Sequence, residues 1–102
     1  MVKERLYDDV MVEALRDDPD FALAYLHQAF LDIDEDGGQE GFLLALRHIV
    51  EARGGMASIA QKAGVSRESL YRTLSPSGNP TLKTLRNVIH ATGFQFSSLA
   101  CT

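Results

Sequence analysis

Tryptophan is absent from this 102-residue chain, cysteine occurs once, at Cys101, and proline only three times. A lone cysteine next to the C-terminus excludes an intrachain disulfide and a cysteine zinc cluster. No apolar run approaches the ~18 residues that a membrane span needs, and the first residues do not form a signal-type apolar stretch. These absences lead us to expect a soluble, cytoplasmic protein with no membrane partner. His27, His48 and His90 lie far apart on three expected helices, with no second histidine at the three-to-four residue step of a helix-borne metal site. They are expected at the surface or its boundary, and no metal or other cofactor is expected. The serines at 66, 69, 75 and 77 read as caps and turn residues, and Gly54-Gly55 and Gly78 lack the strand and the lysine of a phosphate-cradling loop. No catalytic residue emerges, so the chain is not expected to be an enzyme.

The net charge of −4 conceals a sharp division. Residues 1–40 carry three basic and twelve acidic side chains, net −9, whereas residues 41–102 carry seven basic and two acidic, net +5. Attraction for phosphate therefore belongs to the C-terminal part, and the acidic part suits either a solvated helical face or a basic protein partner.

Apolar periodicity predicts helices almost throughout. Leu6, Val10 and Leu15 fall near one face of a first helix up to Arg16. Asp18-Pro19 then marks the start of a second helix reaching about Ile33, with aspartate as cap and proline at the first helical position. Its apolar stripe is Ala22, Leu26, Ala29, Phe30 and Ile33. The segment Asp32 to Gly37 opens like a calcium-binding EF-hand loop. However, Leu43 occupies the twelfth place, where a bidentate glutamate is needed, so we read an acidic interhelical loop. Phe42, Leu43, Leu46, Ile49 and Val50 form the stripe of a third helix that Gly54-Gly55 terminates. Beyond a turn-rich segment, Ser75 to Pro80, the stripe Leu82, Leu85, Val88 and Ile89 defines a last helix that leaves through Gly93. Phe94-Gln95-Phe96 alternates like a very short strand, better suited to plugging the core than to pairing.

The most informative stretch is Met56 to Leu74. It describes two short helices joined by a tight turn. Ala60 is small where the helices must touch, Gly64 suits a left-handed exit, and Val65 and Leu70 fill the angle between them. Ser66 caps the second helix and Glu68 suits the positive end of its dipole. Leu70 and Leu74 take the buried side, leaving Arg67, Tyr71 and Arg72 outward. An outward arginine near the start of such a helix is shaped for guanine O6 and N7. Ser77, Asn79, Thr81 and Lys83 follow in a loop and helix start suited to phosphate. The expected contact set for double-stranded DNA is therefore Ser66, Arg67, Glu68, Tyr71, Arg72, Ser77, Asn79, Thr81 and Lys83. In it Arg67 reads a base edge, and Arg72, Asn79 and Lys83 hold phosphates.

The segment from Gly54 to Phe94, within a signature covering about residues 39–96, resembles the lambda-repressor-like (Cro/cI, XRE) helix-turn-helix proteins and, within them, the probable addiction-module antidote family of HigA-like antitoxins. Gly54-Gly55-Met56, Gly64 through Tyr71, and Gly78-Asn79-Pro80-Thr81 carry that resemblance. It implies an all-α fold with a five-helix DNA-binding domain over residues 39–96. An acidic helical extension precedes it over 1–38, and a tail follows over 97–102. It further implies a homodimer that binds an inverted-repeat operator, represses its own operon and neutralises a RelE/HigB-like toxin. A stand-alone prophage-type repressor, or an interaction module with subsidiary DNA binding, is the alternative. Met56 departs from the glutamine that many relatives carry at the start of the first motif helix.

Overall fold

A computed structural model describes residues 2–100, with side chains from Leu6 onward; Cys101 and the end of the expected tail lie outside the described residues. Six α-helices follow in order: α1 (Val2–Asp17), α2 (Pro19–Leu31), α3 (Gly38–Ala52), α4 (Met56–Ala63), α5 (Arg67–Thr73) and α6 (Leu82–Ala91). A 3-10 turn, Phe96–Leu99, follows α6, and no strand occurs among the described residues.

Local chemistry sets the boundaries. The Asp18 carboxylate accepts from the Phe21 amide at 3.1 Å, with Pro19 in the first turn of α2. Ser66 and Thr81 cap α5 and α6 in the same manner, accepting from the Ser69 and Thr84 amides at 3.0 and 3.1 Å. Gly64 leaves α4 at φ 76°, its amide donating to the Gln61 carbonyl at 3.2 Å while the Val65 amide donates to Ala60 at 3.0 Å. This paired closure occupies carbonyls that a helix end would otherwise leave bare, and it needs a left-handed residue that glycine supplies without strain.

Helix α3 is the spine. The helices α1 and α2 pack on it and on each other, α4 adjoins its end, and α4 in turn carries α5 and α6. One continuous core runs through the molecule, from Leu15 and Leu26 through Leu46, Ile49 and Ile59 to Leu70, Ile89 and Leu99. Ala60 is buried at the α4 corner, with Val65 packed against the core. Met56 is buried too, so at this position an apolar side chain serves packing.

Three expectations about facing are corrected. Leu6 and Val10 point to solvent, 59% and 66% exposed, because the inward side of α1 is instead Asp8, Met11, Val12 and Leu15. Leu82 is 67% exposed at the first position of α6, where the helix has not yet reached the core. The terminal segment is a 3-10 turn rather than a strand; Phe94 and Phe96 lie against the core, and Leu99 is the buried plug. That turn is tied down by His27, whose Nδ1 donates to the Leu99 carbonyl.

Candidate nucleic-acid interface

All nine residues expected to face DNA are exposed, and they lie on α5, the following loop and the start of α6. Leu70 and Leu74 anchor α5 from beneath, which turns Arg67, Glu68, Tyr71 and Arg72 outward. The Arg67 guanidinium lies over the Tyr71 ring, 5.6 Å from its centroid. A second guanidinium, that of Arg47 on α3, lies 5.7 Å from the same ring. Each such contact contributes about 0.5–1 kcal/mol at an exposed site. Tyr71 thus gathers two positive charges at one edge of the second motif helix. Reading the sequence missed Arg47, since nothing local connects it to a residue 24 positions away on another helix.

The loop from Ser75 to Pro80 is folded back on α5. The Ser75 hydroxyl donates to the Arg72 carbonyl at 2.7 Å, and the Gly78 amide donates to the Ser75 carbonyl at 2.8 Å. Gly78 approaches the Thr73 carbonyl so closely that a Cβ there would lie 2.0 Å from the oxygen. This tight return brings Ser77 and Asn79 out on the same stretch that leads into Thr81 and Lys83. Thr81 is engaged as a cap on both counts, since its hydroxyl accepts from the Thr84 amide and donates to the Thr84 hydroxyl at 3.1 Å. Its hydroxyl is thereby committed to orienting the first turn of α6.

Not every basic residue is available to phosphate. The Arg53 Nε donates to the Thr92 carbonyl at 2.9 Å, and the guanidinium covers the Phe94 ring at 5.0 Å. It clasps the end of α3 to the end of α6. Arg67, Arg72, Lys83, Arg86 and Lys62 remain exposed. Glu68 is the single carboxylate among the nine expected contact residues.

A separate polar cluster joins α1, α2 and α3. His48 is only 3% exposed, so it is not the boundary residue expected from its spacing. Its Nε2 donates to Asp8 at 2.9 Å, which leaves Nδ1 to accept from the Tyr25 hydroxyl at 2.8 Å. A carboxylate can only accept, so Nε2 carries the proton of that bond. Burial, reinforced by the neighbouring Tyr7 and Asp8 charges, pushes the Tyr25 hydroxyl up to about 12, in keeping with a donor role.

One comparison with known proteins names a family, and a second finds a relative of unassigned role. An uncharacterised protein of Haemophilus influenzae is 40% identical over 93 residues, spanning 91% of this chain and 90% of that protein. No solved structure matches the chain. A family model described as a probable addiction module antidote protein matches residues 7–100, which takes in all six helices except the start of α1. The chain belongs to this family of probable addiction module antidote proteins.

Proposed function

We propose that this protein is the antitoxin of a type II toxin–antitoxin module, acting in the cytoplasm by binding rather than by catalysis. In this reading α3 to α6 and the closing turn form a lambda-repressor-like DNA-binding domain. Two copies place their α5 helices in successive major grooves, ~34 Å apart, on an inverted-repeat operator. Arg67 reads a guanine edge, while Arg72, Asn79, Lys83 and Arg47 hold the backbone on either side. Binding represses the operon, and the acidic residues 1–38 engage a basic RelE/HigB-like toxin.

The observation that carries the DNA half is the outward row on α5 with its tyrosine-gathered arginines, set on an element buried by Leu70 and Leu74. The family carries the antitoxin half. Gel-shift titration on the protein's own promoter tests the first. Arg67→Ala is expected to weaken binding by ~1–3 kcal/mol and to relax preference at one base pair. An Arg67→Ala curve superimposable on wild type overturns the base-reading role.

A further inference from the structure

The outward side of α1 is the feature that the fold leaves unexplained. Leu6, Tyr7 and Val10 are 59%, 58% and 66% exposed, and they fall within one turn at steps of three and four. Scattered exposed leucines are ordinary, but three large apolar side chains side by side on one helix form a patch. The helix is not loosely held: Leu15 is fully buried, Met11 and Val12 pack on the core, and Asp8 is bonded to the buried His48. The patch is consequently presented on a fixed scaffold. Tyr7 also begins an aromatic row, its ring 6.4 Å from His48, which is 6.1 Å from Tyr25, itself 6.2 Å from the half-exposed Phe21.

The surroundings of the patch decide what covers it. Asp9, Glu13 and Asp17 line one flank of α1, and Asp18 and Asp20 follow at the start of α2, all exposed. Arg16 is the one exposed basic residue from Leu6 to Asp36. A second copy of this chain would bring an equally acidic rim against this one, so self-association is opposed there by like charge. A basic protein with an apolar groove meets both features at once. We propose that Leu6, Tyr7 and Val10 form the docking face for a basic protein partner, the apolar stripe supplying most of the affinity and the acidic rim the steering. This rests on the antitoxin reading and adds the surface used. The face is carried by α1, which packs on α2 and α3, and the DNA-facing row by α5, which packs on α4, so the two lie on separate elements.

The test uses the full chain and the purified product of the reading frame adjoining its own, titrated by calorimetry. Leu6→Gln with Val10→Gln keeps helix propensity and charge, removes only exposed apolar groups, and should leave thermal unfolding unchanged. The expected results are roughly tenfold or greater loss of partner affinity with undiminished operator binding. Asp9→Asn with Glu13→Gln is expected to slow association and flatten its salt dependence instead. If wild type and the Leu6/Val10 variant bind the product equally, the docking face is refuted while the antitoxin reading stands. No binding by wild type overturns both. A wild-type dimer that the Leu6/Val10 variant abolishes in sedimentation assigns the face to a second copy and also overturns the proposal.

Discussion

Arg47 and Arg67, twenty positions apart and on different helices, converge on one ring, that of Tyr71. The aromatic face offsets part of the repulsion between two guanidiniums, and it limits where each can point. The geometry makes Tyr71 a positioning residue for the candidate interface even without a contact of its own to a base. Tyr71→Ala is therefore expected to reduce discrimination between operator and random DNA, whereas Tyr71→Phe, which keeps the ring, preserves it. Competition gel shifts separate the two.

Arg47→Ala is expected to weaken operator and unrelated DNA alike. If Arg47 contacts one phosphate, its loss lowers the slope of log affinity against log salt by about 0.9. Affinities measured between low and moderate salt give that slope directly.

Tyr25→Phe leaves the His48 Nδ1 without its donor in a buried setting. The expected cost is about 1–3 kcal/mol of folding stability, read as a lower urea midpoint with unchanged helicity.

The same hydroxyl governs an alkaline limb. Its proton is held to about 12 in the folded chain against 10.0 for a free tyrosine. Below the lower value both states are protonated and stability is whole. As pH rises from one value toward the other, the unfolded chain releases its proton first, so stability falls across that window and levels off above it. Urea titrations at rising pH should show a steeper alkaline loss for wild type than for Tyr25→Phe.

Two glycines of α3 should respond to alanine with opposite signs. A Cβ on Gly38 would lie 2.2 Å from the Asp32 carbonyl oxygen, whereas one on Gly41 meets nothing within 4 Å. Gly38→Ala is expected to destabilise by roughly 2–4 kcal/mol, since backbone must shift. Gly41→Ala should stabilise by about 0.5–1 kcal/mol through helix propensity. Thermal melts of the pair check both.

What was legible in the sequence was local. Capping at Asp18 and Ser66 and the Gly64 exit are decided within a few residues, so those helix boundaries followed from them. The outward set on α5 followed from Leu70 and Leu74 by helical spacing. Facing on α1 did not, because two apolar sides compete there. Leu15 belongs to one and Leu6 with Val10 to the other, and only α2 and α3 decide which is covered. His48 and Arg47 were illegible for a related reason. Their partners lie 40, 23 and 24 residues away, and spacing along one helix says nothing about a neighbour brought in by the fold.

In the proposed complex α5 reads sequence and its surroundings hold phosphate. Filter binding of wild type, Arg67→Ala and Lys83→Ala to the native promoter and to scrambled DNA, across a salt series, separates these two roles. Arg67→Ala is expected to lose the preference for promoter over scrambled DNA, and Lys83→Ala to lose affinity for both equally with a shallower salt slope. Retention of neither DNA by wild type at low ionic strength, or full promoter preference in Arg67→Ala, contradicts this assignment of roles.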